Sequence, residues 1–254
     1  GIVRFDVGNK ENSITPLQAG KDIRFGENSE VIFSRLDEPL NGFWDIITWD
    51  GNLKDEGVSL YADGAPEVDR FVFLDKSGSE PDVLRVSAVK TLSGANWTGA
   101  GENNLWSNAR NWKEDALPET QDTVHINLKG SNRSVLNDTR KVTNLFVGSA
   151  GDGRLDIAEG AKLQIADTKG QSVLGRGKGN TGVIEQTGGI VRVNAESGLQ
   201  FGQEGGSGIY RLRGGRLDMN GGNISVGASG ESPSELMIAG GRLTNLGELE
   251  FGIA

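Results

Sequence analysis

The sequence predicts an all-β protein, most of it a parallel, three-faced β-helix with about 26 residues per coil. Three observations predict this fold. An apolar-x-apolar-Gly element recurs at near-constant spacing, and a glycine pair followed by an alternating strand recurs in the same phase. Glycine also makes up 39 of the 254 residues, about twice the usual share, against only 6 prolines. Repeats at such a period indicate a solenoid.

The apolar-x-apolar-Gly element predicts one corner of each coil. Its glycines lie at intervals of 27, 27, 25 and 25 residues and are Gly148, Gly175, Gly202, Gly227 and Gly252. A corner requires positive φ or a close approach of backbones, which glycine accommodates without steric cost. The residues before these glycines form a predicted inward column of Val147, Leu174, Phe201, Val226 and Phe251.

The glycine pairs add two further strands to each coil. They recur at a spacing of 26 and 26 residues and begin at Gly188, Gly214 and Gly240. An alternating strand follows each pair, and another short strand precedes it, at 184–186, 210–212 and 236–238. Three strands per coil predict three faces, and stacking the coils at about 4.8 Å builds one continuous core.

The sequence divides into three predicted segments. Residues 1–93 form an all-β N-terminal region, because alternating apolar runs are separated there by polar turns. Whether these runs make irregular solenoid coils or a small sandwich is left open. Residues 94–140 form a Trp-rich capping or linking segment, and residues 141–254 form the parallel β-helix.

Trp97, Trp106 and Trp112 lie within sixteen residues of one another. One interpretation is a cap, because a solenoid needs its first coil covered and bulky aromatic side chains from a loop can cover it. The other interpretation is a glycan-binding platform, in which the flat rings pack against sugars. The sequence favours the cap.

About 155 residues from Trp97 onward resemble very large bacterial surface proteins of the autotransporter-passenger and PEP-CTERM-associated type. The resemblance is carried by Trp97-Thr-Gly-Ala-Gly-Glu-Asn-Asn-Leu-Trp-Ser-Asn-Ala-Arg-Asn-Trp112, a following proline, an Asp122-Thr-Val strand and the glycine-pair coils. It implies a right-handed β-helix, export to the bacterial cell surface and a structural or adhesive role. It supplies no catalytic residues.

Composition excludes several classes of partner. The formal net charge of −9 and the pI near 4.8 argue against a nucleic-acid partner. Without cysteine the chain has no disulfide, thiol nucleophile or thiolate metal site. Neither a signal peptide nor a membrane span is predicted, because no basic segment precedes an apolar one and no window approaches 18 apolar residues.

The sequence predicts no catalytic residue and no metal site. His125 is the only histidine and lies in an alternating strand, which indicates a structural role. Asp152, Asp156 and Asp218 are candidate carboxylates for a polysaccharide-degrading β-helix enzyme, but their positions form no distinctive cluster. Calcium is the one cofactor considered, at the acidic turns 50–55 and 63–69, and solvated turns are the favoured interpretation.

The predicted function is therefore that of a non-enzymatic extracellular structural protein. The segment 249–254 begins a further coil, and an unfinished coil is an open sheet edge that templates another strand. A similar β element lies at 2–7, so we expect head-to-tail self-assembly into a fibre or surface layer. The self-assembly residues predicted are Ile2, Val3, Phe5, Val7, Leu249, Phe251 and Ile253. The alternatives are a glycan-binding adhesin, whose partner would be a cell-surface polysaccharide, and a polysaccharide-degrading enzyme.

Overall fold

The computed structural model describes residues 1–7, 16–35, 42–63, 68–74, 80–88, 93–128, 133–166, 171–194, 198–227 and 232–252. Within these residues the fold is all-β, and parallel sheets form about eight solenoid turns of about 26 residues each. The predicted fold class is confirmed. The turns belong to two compact units, one of residues 1–90 with 100–102 and the other of residues 91–99 with 103–254.

The N-terminal unit contains nine described strands. They are β1 (Ile2–Val7), β2 (Leu17–Ala19), β3 (Ile23–Phe25), β4 (Glu30–Arg35), β5 (Gly42–Trp49), β6 (Leu53–Asp55), β7 (Ser59–Asp63), β8 (Val68–Leu74) and β9 (Asp82–Ala88). Parallel pairing of β1 with β4 and β7, of β2 with β5, and of β3 with β6 makes these strands solenoid coils. This parallel pairing is typical of the irregular solenoid coils that the sequence left open beside a small sandwich. An antiparallel pair, β8 and β9, adds to β5 and was not predicted.

Large rings fill the core of this unit. Phe33, Trp44 and Trp49 are buried, and the rings of Phe33 and Trp44 lie 5.7 Å apart. A partly buried ion pair accompanies them, in which the guanidinium of Arg85 contacts both carboxylate oxygens of Asp45 at 2.6 and 3.1 Å. These rings stabilise the unit, because buried aromatic side chains remove large apolar areas from water.

The second unit contains seventeen described strands and two short 3₁₀ turns, Ala109–Asn111 and Lys113–Asp115. The strands are β10 (Ala95–Asn96), β11 (Thr123–Ile126), β12 (Ser134–Leu136), β13 (Thr139–Val142), β14 (Asn144–Val147), β15 (Gly153–Ile157), β16 (Lys162–Ile165), β17 (Gln171–Arg176), β18 (Thr181–Gln186), β19 (Ile190–Val193), β20 (Gly198–Gln203), β21 (Ser207–Leu212), β22 (Arg216–Asp218), β23 (Asn223–Val226), β24 (Glu235–Ile238), β25 (Arg242–Thr244) and β26 (Leu249–Phe251).

These strands make the three predicted faces. Face 1 has the order β10-β11-β14-β17-β20-β23-β26, face 2 has β12-β15-β18-β21-β24, and face 3 has β13-β16-β19-β22-β25. Each strand on a face pairs in parallel with its counterpart one coil away. The coils begin before residue 141, where the sequence placed the start of the β-helix. The inward column runs as predicted through Val147, Leu174, Phe201, Val226 and Phe251, in unbroken register.

The corner between faces 1 and 2 explains the glycine spacing. All five predicted corner glycines have positive φ, between 60° and 76°. At Gly175 a Cβ atom would lie 1.9 Å from the carbonyl oxygen of Ser207 on a neighbouring coil. Glycine is required there both by the left-handed backbone and by the absence of room for a side chain.

Candidate functional site

Six of the seven predicted self-assembly residues lie on two described edge strands, β1 and β26. On β1, Ile2 and Val3 are 66% and 40% exposed, while Phe5 packs against the N-terminal core. Val7 pairs through its backbone with Arg35. On β26, Leu249 and Phe251 are 39% and 66% exposed, and Ile253 lies outside the described residues. Among the described strands, β1 pairs only with β4 and β26 pairs only with β23, so each has one unpaired side.

The three tryptophans of the Trp-rich segment form a buried cluster. Trp97, Trp106 and Trp112 have no exposed surface, and Trp112 makes edge-to-face contacts with both other rings at 5.1 Å. The indole N–H of Trp112 donates to the carbonyl oxygen of Trp106 at 2.9 Å. No ring face remains for a sugar, so the alternative prediction of a glycan-binding platform at these residues is corrected.

The same segment covers the first coil of the second unit. The backbone N–H of Val135 on β12 donates to Asn104 at 2.7 Å, and Trp106 donates to Val135 at 2.9 Å. The edge of face 2 is therefore hydrogen-bonded by an irregular chain segment. On face 1, β10 pairs with β11. These contacts are what a cap must make, since an uncovered strand exposes a row of unpaired backbone groups.

His125 lies on β11 and belongs to this capped end. Its ring stacks on Phe146 at 5.3 Å, and its Nε2 donates to the carbonyl oxygen of Ser93 at 3.2 Å. Its Nδ1 is buried without a hydrogen-bond partner. Burial lowers the pKa of His125, because the charged imidazolium loses its hydration there. This environment matches the structural role expected from the sequence.

The structure describes the acidic turn 50–55 fully and the acidic turn 63–69 only in part. In the turn 50–55, one carboxylate oxygen of Asp55 accepts hydrogen bonds from the backbone N–H groups of Gly57 and Val58, at 2.9 and 2.8 Å. Part of the turn 63–69 lies outside the described residues. Across the part of the chain that the structure describes, no three His, Cys, Asp or Glu side chains are grouped to hold a metal ion.

Face 2 carries a cleft of about 490 Å³ on its outer surface. We call it the arginine cleft. It is lined by Arg133, Val135, Arg154, Asp156, Ile157, Ala158, Glu185 and Thr187. These residues lie on, or directly beside, strands β12, β15 and β18 of three successive coils. Asp156 and Glu185 are direct partners in the parallel register, so their carboxylates occupy adjacent rungs of one outward ladder.

Arginine side chains surround both carboxylates. Nη1 of Arg133 lies 2.9 Å from Oδ2 of Asp156, and Nε of Arg154 lies 2.8 Å from its Oδ1. Glu185 is paired with Arg213 through Oε1 and, at 3.8 Å, with Arg211 through Oε2. Both oxygens of each carboxylate thus face a guanidinium group. The arrangement offers fixed hydrogen-bond donors at the surface and no free carboxylate pair for hydrolysis.

The charges on the outward residues of face 2 indicate this cleft in the sequence, but the repeat pattern alone did not predict it. Short strands were predicted on this face at 184–186, 210–212 and 236–238, and their middle residues are Glu185, Arg211 and Met237. Asp156 has the equivalent position on β15. The pairing of the strands brings these residues into one ladder. Their chemical variety resembled that of ordinary solvent-facing positions and concealed the complementary charges.

The other two candidate carboxylates have structural roles. One oxygen of Asp152 accepts from the backbone N–H of Thr181 at 2.7 Å. The side-chain amide of Asn245 donates to Asp218 at 2.8 Å and is the main reason that the pKa of Asp218 lies below its usual value. Asp152 lies at a turn, Asp218 on face 3 and Asp156 on face 2, so the three carboxylates do not converge.

Comparisons of this chain with protein-family models, curated proteins and solved structures find no significant match. In the described parts of the chain there is no helix with the length and apolar character needed to cross a membrane. The fold defines the class of protein as a β-solenoid with three-faced coils and a tryptophan-capped end.

Proposed function

We propose that this chain is a non-enzymatic structural subunit that assembles head to tail, with β26 of one copy pairing with β1 of the next. The single observation that carries the proposal is the matching chemistry of the two edge strands. Both have an unpaired side among the described strands, and both end an inward apolar column in partly exposed side chains.

The two columns have the same alternation. Val3 and Phe5 stack on the buried residues Val31 and Phe33, just as Leu249 and Phe251 stack on buried Ile224 and Val226. A parallel pairing of Val3 with Leu249 would therefore continue both columns across the junction. Burying one such side chain completely is worth about 1.5–3 kcal/mol, so the junction would have a substantial apolar contribution.

Charge favours the same register. With Val3 opposite Leu249, the outward residue Arg4 lies opposite the outward residue Glu250. Opposite charges on directly paired strand positions stabilise a sheet, and like charges destabilise it. A heterologous contact of this kind does not close on itself, so its product is a filament.

The proposed location is the bacterial cell surface, and it is supported by the resemblance of the Trp-rich segment and glycine-pair coils to bacterial surface proteins. The non-enzymatic character is supported by the pairing of both cleft carboxylates with arginines and by the hydrogen bond of the sole histidine to a backbone carbonyl.

Electron microscopy of the purified chain tests the assembly. We expect fibres from the wild type, and discrete particles from Arg4→Glu and from Glu250→Arg, because each single change places like charges across the junction. The double variant Arg4→Glu/Glu250→Arg restores opposite charges and should restore fibres. Lys162→Glu, an equal change of charge on exposed face 3, is the matched control and should assemble normally.

Two results would overturn the proposal. One is a wild-type chain that remains as discrete particles at high protein concentration. The other is a double variant that fails to assemble although circular dichroism shows the same β structure as the wild type. Loss of assembly in the Lys162→Glu control would assign the effect to net charge and would also count against the junction.

A further inference from the structure

We propose that the arginine cleft on face 2 binds a linear glycan that carries carboxylate groups. This site goes beyond head-to-tail assembly and does not depend on it, since all its residues lie on the side of one solenoid. It also differs from the corrected platform at the tryptophans, because it uses charged residues on the outer surface of β12, β15 and β18.

The unused hydrogen-bonding capacity of the cleft consists mainly of donors. A guanidinium group has five N–H donors, and the close contacts of Arg133 and Arg154 with Asp156 use one nitrogen of each. Their side chains remain 48% and 34% exposed. Both oxygens of Asp156 and Glu185 already face arginines, so a ligand must supply acceptors. A carboxylate is the acceptor that matches a guanidinium fork.

The lining of the cleft suits a sugar ring as well as a charge. Val135 and Ala158 are partly exposed and provide apolar surface between the charged groups. A pyranose ring combines an apolar C–H face with hydroxyl and carboxylate groups at its rim. A volume of about 490 Å³ lies within the usual range for sites that hold small organic ligands.

The repetition of arginines along the solenoid favours a polymer over a single anion. Arg154 lies on β15, and Arg211 lies two coils further on β21, with Arg213 beside it. Neighbouring coils are about 4.8 Å apart, so Arg154 and Arg211 lie about 10 Å apart along the solenoid axis. Arg211 contacts Glu185 and Glu235, and its side chain is 30% exposed. A chain with a carboxylate on every sugar can meet these groups in succession.

The net charge of −9 determines the ionic strength at which binding should be measured. Remote acidic residues repel an anionic polymer at low salt, whereas at physiological salt the Debye length is about 8 Å and their effect is largely screened. Contacts inside the cleft are shorter than this length. Binding should therefore be measured at physiological ionic strength.

Calorimetric titration with trigalacturonate tests the proposal, with a neutral trisaccharide of galactose and a triglutamate peptide as comparison ligands. We expect trigalacturonate to bind and both comparison ligands to bind at least about tenfold more weakly, because they lack either the carboxylates or the sugar rings. Arg154→Gln should weaken trigalacturonate binding about tenfold. Arg192→Gln, an exposed position on face 3, is the matched control and should leave affinity unchanged.

Asp156→Asn is the most informative variant, because it should strengthen trigalacturonate binding whereas Arg154→Gln should weaken it. The change releases Arg133 and Arg154 from their carboxylate and removes one negative charge, so trigalacturonate should bind severalfold more tightly. A purely structural role of this ion-pair cluster predicts no gain in affinity.

The proposal is overturned if the wild type does not bind at millimolar ligand, if a comparison ligand binds equally well, or if Asp156→Asn fails to improve binding. Fibre formation is scored separately by microscopy, so failure of either proposal is distinguishable.

Discussion

The two ends of the second unit differ in how their terminal coils are covered. At the Trp-rich end, three indole rings are fully buried and the backbone of β12 is hydrogen-bonded by an irregular segment. At the other end, the coil of β24, β25 and β26 has no described strand on its outer side, and Ile238 and Phe251 are 50% and 66% exposed. Phe251 continues the column in which Phe201 is completely buried.

The difference shows that burial in a solenoid is decided by the next coil along the axis. A repeat supplies the same inward residue every 25 to 27 positions, but the residue becomes core only when another layer stacks on it. Closing an end requires non-repetitive sequence, such as the tryptophan cluster. The comparison can be tested by equivalent substitutions at the two ends.

Removing a ring should give the largest contrast. Trp112→Ala deletes a fully buried side chain and its hydrogen bond to Trp106, and should lower the free energy of unfolding by about 3–5 kcal/mol. Phe251→Ala should cost less than about 1 kcal/mol under conditions where the chain does not assemble, because that ring is mostly exposed already. Urea unfolding followed by circular dichroism measures both. Equal losses would contradict the distinction between the ends.

Alanine substitutions at two corner glycines form a matched pair, with a somewhat smaller expected loss of unfolding free energy than Trp112→Ala. Gly175→Ala introduces a Cβ atom against Ser207 at a φ of +68° and should cost about 3 kcal/mol. Gly252 has a φ of +60° but no atom within 4 Å of the added Cβ, so Gly252→Ala retains only the left-handed penalty of about 1 kcal/mol.

The same urea series checks this pair. If the two alanine variants are equally stable, stacking of coils does not restrict the corner, and the requirement for glycine comes from the backbone conformation alone.

The smallest expected effect is a pH dependence at the capped end. Because the folded pKa of His125 lies below its unfolded value, the folded state binds fewer protons, and stability should fall as pH decreases from the unfolded pKa of about 6.5 towards the folded pKa. One proton limits the slope to about 1.4 kcal/mol per pH unit. Unfolding free energies between pH 7.5 and 5.5 measure it. In the His125→Asn variant this part of the slope should disappear, and its persistence would assign the effect to carboxylates.

Repetition made most of the second unit predictable from sequence. The spacing of Gly148, Gly175 and Gly202 predicted both the corners and the inward column, because a regular coil repeats the same steric requirement at the same position. Non-repeated features were harder to predict. The arrangement of Trp97 and Trp112 around Trp106 depends on packing, and the ion pairs of the arginine cleft depend on side-chain direction.

The N-terminal unit shows the limit of motif matching. The segment ending in Gly26 fits the apolar-x-apolar-Gly element, but this glycine has no positive φ and a Cβ atom there would meet nothing within 4 Å. It is therefore not a corner of the same kind. The direction of β8 and β9 was also missed, because alternation of apolar residues marks a strand without indicating whether it pairs in parallel or antiparallel.

The corner glycines also make the length of the solenoid adjustable. Each corner repeats the same positive-φ glycine, and each interior strand contacts the coils on either side in the same parallel register. Duplication or deletion of the segment between equivalent glycines, for example Gly175 and Gly202, would change the number of coils while the remaining strands kept their phase. Length in such a protein can vary in whole-coil steps, independently of the tryptophan cap and of the edge strand at the opposite end.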